Sequence, residues 1–170
     1  DAVRERVHAM LDEEIEHVSR RDLLLLATAL HDLGKTGGGM DETASHARRG
    51  VDAARSVLVR FGLSEAQKQL ILDVIAHHVP AKQRRPGERW EDFVKRGGLK
   101  GLYREMTREG EVAYPIEGIL HYHADILGRR GDETPPFEVE RRKQVTAFLL
   151  ERYFREHPEL PAAPREHVAS

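Results

Sequence analysis

Apolar residues recur every three or four positions along almost the whole of this sequence, and no segment alternates at the two-residue period of a half-buried strand. That pattern confines the chain to helices packed on helices. Val3, Val7, Met10, Leu11, Ile15 and Val18 predict a first helix. Ser19 can cap the next one, with Asp22 three residues on. The run LLLLATAL is apolar all round, which predicts a buried helix, and Gly34 stops it. A third helix is expected from about Ser45 to Phe61, ended by Gly62. The capping box SEAQ, from Ser64, opens a fourth that runs to AHH. Pro80 and RRPGER interrupt the pattern, after which WEDFVKRG and LKGLYREM read as short helices. YPIEGILHYHADILG reads as a longer helix with Pro115 in its first turn. Thr134 would cap a last helix, about Phe137 to Arg155, with Pro135 at its first position. The expectation is one all-α domain, a bundle of six to eight helices over residues 1–157, and a Pro- and Ala-rich tail over 158–170.

The 170 residues suffice for one domain with a real core. Charge is nearly balanced, Lys+Arg 27 against Asp+Glu 29, so no polybasic footprint points to nucleic acid. There is no cysteine, which excludes disulfide scaffolds, thiolate zinc sites and thiol catalysis together. With no apolar run of membrane-spanning length and no signal-peptide pattern, a cytoplasmic chain without a membrane partner is expected. The sequence opens on Asp1 rather than Met, which is expected of a trimmed product or of one domain of something longer.

The stretch ALHDLGKTGGG, Ala29 to Gly39, admits two chemistries. A phosphate-cradling loop needs G-x-x-x-x-G-K-[ST] between a strand and a helix. Counting back from Gly34, the first glycine falls on Ala29, and the preceding segment has helical rather than strand character. The phosphate-loop reading therefore fails in sequence and in context. The other chemistry is a metal site. His31 and Asp32 close a buried helix, where an imidazole and a carboxylate are costly unless paired or bound to a cation. A His-Asp dipeptide is common enough that it decides nothing alone.

The remaining histidines shift the balance. His8 lies on the first helix, His46 opens the third, His77 and His78 end the fourth, and Asp125 sits in a later helix. Helical bundles build metal sites from such side chains on facing helices. A nitrogen-plus-carboxylate donor set without sulfur suits Mn, Fe, Co, Ni or Zn, and Mg if few imidazoles are used.

His8, HD at 31–32 with Lys35 one turn on, His46, HH at 77–78, and Asp125 within HADILG resemble the signature of the HD-domain metal-dependent phosphohydrolase superfamily. The likeness runs from His8 to Asp125 and is similar to the HD domains of bacterial nucleotidyltransferases. The resemblance implies that His8, His31, Asp32 and Asp125 hold a first divalent metal. Asp32 would bridge to a second, held by His46 and by His77, His78 or both, and Lys35 would reach a substrate phosphate. It implies hydrolysis of a phosphomonoester or phosphodiester of a nucleotide, cyclic nucleotide or RNA end, with a metal-activated hydroxide as nucleophile. An HD-fold sensor with little catalysis and a di-iron oxygenase are alternatives with the same ligands. No Gly-Tyr-Pro follows HH, which counts against the cyclic di-GMP phosphodiesterases, and no Glu-Asp follows HD, which counts against the ppGpp hydrolases.

Beyond the metal ligands, Arg48, Arg49, Lys82, Arg84 and Arg85 are candidates for substrate phosphate, and Trp90 for stacking on a base. Arg89 belongs to the same loop, and a solvated basic loop anchored by one tryptophan is the commoner account of Lys82, Arg84, Arg85, Arg89 and Trp90, while a solvated helix face explains Arg48 and Arg49 equally well. His121, one turn before Asp125, is a candidate partner behind the ligands. His123 points elsewhere, and His17, His157 and His167 read as surface residues, with His17 a fallback for His8.

Overall fold

In a computed structural model that describes residues 2–35, 43–85, 87–128 and 135–160, eight α-helices carry nearly all the regular structure. They are α1 (Ala2–Asp12), α2 (Arg20–Leu30), α3 (Thr43–Leu58), α4 (Glu65–Ala76), α5 (Trp90–Lys95), α6 (Gly98–Met106), α7 (Pro115–Leu127) and α8 (Pro136–Glu156). The architecture is the all-α bundle that the apolar period demands.

The first helix is shorter than its periodicity predicts. It ends at Asp12, and Ile15 and Val18 leave it to form a two-stranded antiparallel hairpin, β1 (Glu14–Ile15) and β2 (Val18–Ser19). The turn residues Glu16 and His17 both have positive φ, 48° and 73°, the backbone of a tight two-residue hairpin. Neither residue type signals such a turn. It is held from outside: the Gln67 side chain donates to the carbonyls of Ile15 and Glu16 at 2.9 and 3.0 Å.

The other boundaries follow local chemistry. Ser19 caps α2 by accepting from the Asp22 N–H, and its hydroxyl donates to the Asp22 carboxylate at 2.8 Å. Ser64 and Gln67 complete the expected capping box of α4. The third helix tightens into a short 3-10 turn, Val59–Phe61, which Gly62 ends in the left-handed conformation. The last helix starts with Pro136 rather than Pro135, which is its N-cap; Thr134, expected as the cap, lies outside the described residues. So does 161–170, most of the expected tail.

Two apolar clusters form the interior. Leu23, Ala27, Ala54, Leu58, Leu70, Ile71, Val74 and Ile75 join α2, α3 and α4. Val7, Met10, Leu102, Met106, Ile116, Ile119, Leu149 and Phe154 join α1, α6, α7 and α8. Leu24 packs against both clusters, so α2 runs between them. The all-round apolar reading of α2 is corrected at Leu25, which is 63% exposed. Among the described residues no helix is long and apolar enough to cross a membrane.

One contact sets the functional end of the bundle. A Cβ on Gly34 would lie 2.4 Å from the Gly50 nitrogen and 2.6 Å from the His46 carbonyl oxygen. Only a residue without a side chain lets the turn after α2 approach the α3 backbone so closely. That approach sets His31 and Asp32 beside His46.

Candidate metal centre

Four helices and the turns at their ends converge here. His31 and Asp32 lie in the turn that leaves α2, His46 in the first turns of α3, and His78 just past the end of α4. From α7 come His121 and, one turn later, Asp125. One ligand atom each from Asp32, His46 and His78 lies within 4.8 Å of the others. His31 Nε2 is 3.2 Å from Asp32 Oδ1 and 3.4 Å from Asp125 Oδ1, and His46 Nε2 is 3.5 Å from Asp32 Oδ1. Donor atoms bonded to one ion at metal–ligand lengths of about 2.1 Å are separated by roughly 3.0–3.4 Å. The site has the spacing of a ligand set.

The imidazoles form a continuous group, with centroids of His31 and His121 at 4.7 Å, His46 and His78 at 5.1 Å, and His31 and His78 at 5.2 Å. Their tautomers are fixed by what they touch. His31 Nδ1 donates to the Thr28 carbonyl at 2.7 Å and His78 Nδ1 to the Ile75 carbonyl at 2.6 Å. A carbonyl only accepts, so the Nδ1 atoms carry the protons and each neutral ring offers its Nε2 lone pair. The Nε2 atoms of His31, His46, His78 and His121 are buried with no hydrogen bond among the described residues. Buried polar atoms are rarely left this way. A cation held beside Asp32 would satisfy the Nε2 atoms of His46 and His78.

The electrostatics agree. Burial acts against a charge on His31, but the Asp125 carboxylate, the Thr28 carbonyl and Asp32 outweigh it and raise its pKa. Between two carboxylates, His31 holds a position where positive charge is favoured. Burial lowers the pKa of His78, and burial with the neighbouring His31 and His78 rings pushes His121 down to about 4. Both are held neutral, the state in which an imidazole ligates.

A model of the HD-domain family matches residues 5–130. The chain belongs to the HD-domain family. The bifunctional uridylyltransferase/uridylyl-removing enzyme of Phenylobacterium zucineum (strain HLK1) is similar to this chain, at 33% identity over 72 residues. That match covers 42% of this chain but only 7% of the relative's length. No solved structure matches the chain.

The remaining residues singled out in the sequence lie outside the HD-domain cluster. His8 is exposed on α1, its Nδ1 3.4 Å from Arg21, and is not part of the candidate cluster. His77 turns the other way from His78: its Nδ1 meets the Asp73 carbonyl at 2.9 Å and the Asp73 carboxylate at 3.3 Å. That carboxylate raises its pKa. Lys35 is exposed, its Nζ 2.5 Å from Asp32 Oδ2. Arg48 is exposed on a cleft of about 420 Å³ that it lines with Ala47, Val51, Asp52, Ala76, Val79, Ala81 and Glu105. Ala47 and Val79 directly follow His46 and His78, so this cleft borders the cluster. A larger groove, about 780 Å³, lies between α3 and α4 and contains none of the ligand residues. Arg49 donates to the Gly34 carbonyl at 3.3 Å, tying α3 to the turn that carries Asp32.

Lys82 and Arg85 are exposed, whereas Arg84 is engaged by Glu138 and the Glu88 carbonyl. Trp90 is half-buried, 5.5 Å from Phe93 and packed against the second apolar cluster. His17 lies in the hairpin turn, His123 is influenced by Arg142 and Lys143, and His157 sits by Tyr153 and Glu159. His167 is outside the described residues. Sequence reading gave no weight to Thr28, whose carbonyl fixes His31 and whose hydroxyl lies 3.1 Å from His121 Nδ1. Only its position one turn before His31 hinted at it.

Proposed function

We propose that this HD domain is a metal-dependent phosphohydrolase, cleaving a phosphate ester of a nucleotide, cyclic nucleotide or RNA end. The observation that carries the reading is the set of buried, bondless Nε2 atoms facing two carboxylates. His31, Asp32 and Asp125 would hold one divalent ion, with Asp32 shared toward a second at His46 and His78. Asp32 Oδ1 lies within 3.5 Å of both His31 and His46, which supports the sharing. The bound metal supplies Lewis acidity and makes a water nucleophilic near neutral pH.

The protein side of the reaction rests on residues at the rim. Lys35, on its exposed stem, would exchange Asp32 for a substrate phosphoryl oxygen. Arg48 faces the bordering cleft, where it would receive a second anionic group. Lys82 and Arg85 stand on the next loop and are available to solvent-borne phosphate. Arg84 acts through structure, clasping Glu138. The relative's name as a uridylyl-removing enzyme supports placing a nucleotidyl ester first among substrates.

The test is direct. The chain, stripped and reloaded with Mn, Fe, Co, Ni, Zn or Mg, is assayed on p-nitrophenyl phosphate, bis-p-nitrophenyl phosphate and 2′,3′-cyclic nucleotides beside Asp32→Ala. Metal-dependent turnover that Asp32→Ala abolishes is expected. Absence of turnover with every metal, in a protein that binds them, overturns the hydrolase and leaves the sensor or the oxygenase.

A further inference from the structure

Resting on the metal-binding reading above, we infer that His121 is itself a metal ligand, standing on α7 where the family resemblance reserved a place for His8 on α1.

Four observations converge on this ring. It is fully buried, at 0% exposure. It lies one turn before Asp125 on the same helix, with its centroid 4.7 Å from that of His31 and 6.0 Å from that of His78. Its Nε2 is buried without a hydrogen bond among the described residues. Its Nδ1 lies 3.1 Å from the Thr28 hydroxyl, which can accept its proton. With Nδ1–H donated to Thr28, Nε2 carries the lone pair. The reverse tautomer would bury an N–H with no acceptor.

His121 therefore repeats the arrangement of His31 and His78: outer nitrogen anchored, inner nitrogen open. Thr28 anchors two of the three, His31 through its carbonyl and His121 through its hydroxyl. Histidines that bind metals are oriented in this way by a group behind the ring. His8, by contrast, is exposed beside Arg21.

The experiment uses Co2+ as the probe, with the visible absorption of the bound ion and calorimetric affinity as readouts, none of which needs turnover. His121→Gln and the volume-filling His121→Phe should lower Co2+ affinity at least tenfold and change the absorption band. Thr28→Val should weaken binding about ten- to a hundredfold. His8→Gln should change neither readout. In the unmodified chain, labelled with nitrogen-15, Zn2+ should shift the His121 Nε2 resonance and not those of His8, a measurement that holds even where a variant fails to fold. Unchanged stoichiometry, affinity and spectrum in folded His121→Gln, or loss of Co2+ in His8→Gln, would overturn the inference. A chain that binds no metal at all would overturn both this and the hydrolase reading; binding that ignores His121 would overturn this one alone.

Discussion

Gly34 abuts Gly50 so closely that a Cβ on the first would sit 2.4 Å from the backbone nitrogen of the second. The obstacle is backbone, which cannot rotate away as a side-chain tip can. Gly34→Ala must therefore push the turn that carries Asp32 away from α3 and His46. The expected cost is about 1–3 kcal/mol in stability, with weaker metal binding on top. A Cβ on Gly50 meets its nearest atom, the His31 carbonyl oxygen, only at 3.3 Å, so Gly50→Ala should be the milder change. Chemical denaturation of the two variants checks the order; equal stabilities would show that the crossing yields.

Metal binding to the folded chain alone would stabilise it, because the residues proposed as ligands come from α2, α3, α4 and α7 and are not assembled in the unfolded chain. At an ion concentration of a hundred dissociation constants the gain is about 2.7 kcal/mol. For a chain of this length that raises Tm by roughly 5–10 °C. Asp32→Asn should lose most of this rise, since Oδ1 lies within 3.5 Å of both His31 and His46. Scanning calorimetry with chelator and with added Mn2+ reads the effect, and a Tm indifferent to both would count against the site.

The two adjacent histidines at the end of α4 should behave oppositely. The side-chain hydrogen bond to Asp73 raises the His77 pKa above its unfolded value. A base with a raised folded pKa binds more protons folded than unfolded. Its stabilisation is therefore full below about pH 6.5 and is lost as pH rises through the folded pKa. In metal-free protein His77→Gln should lower Tm at about pH 5.5 and leave it nearly unchanged at about pH 8.5. Metal content should be unaffected by His77→Gln and reduced by His78→Gln. A pH-independent His77→Gln effect would mean that the Asp73 pair contributes nothing.

Glu117 is fully buried on α7 and is met by Arg20 Nε at 2.6 Å, while Arg20 also reaches Glu13 at 2.7 Å. Removing the cation leaves a buried carboxylate with no counter-charge, so Arg20→Met should cost about 3–5 kcal/mol. The double variant Arg20→Met with Glu117→Leu should recover most of the loss, because an apolar pair replaces an ionic one. A double-mutant cycle measures it. Additive losses would place the cost in packing rather than in charge.

Much of this was legible in the sequence because it depends on local signals. The capping box at Ser64, the stop at Gly62 and the Pro115 start are short-range chemistry, and the helices they bound are where the period puts them. What was not legible depends on distant partners. The Glu16–His17 turn exists because Gln67, some fifty positions away, satisfies its carbonyls. His77 and His78 are equivalent in sequence; only the end of α4, where one ring takes Asp73 and the other Ile75, separates them. His8 matches the family signature, but it lies inside α1 on an exposed position beside Arg21. The buried role of His121 follows from α7 lying against Thr28 of α2, a contact between helices that no local pattern announces.

Lys35 separates stability from chemistry. Its ammonium lies 2.5 Å from Asp32 Oδ2, yet its side chain is 62% exposed. An exposed pair of this kind contributes about 0–1 kcal/mol, so Lys35→Met should scarcely move Tm. In turnover the same charge is expected to face the phosphoryl oxygens as negative charge gathers on them. Loss of a preorganised donor at such a point lowers kcat by about a hundredfold. The KM of a small phosphate ester should change less than kcat, because the contact strengthens toward the transition state. Metal affinity in Lys35→Met should stay at the wild-type value or rise slightly, since Asp32 loses a competing cation. Steady-state kinetics with bis-p-nitrophenyl phosphate, beside Co2+ titration, distinguishes the roles. An unchanged kcat would remove Lys35 from the reaction and leave it as a partner that holds Asp32 until metal displaces it.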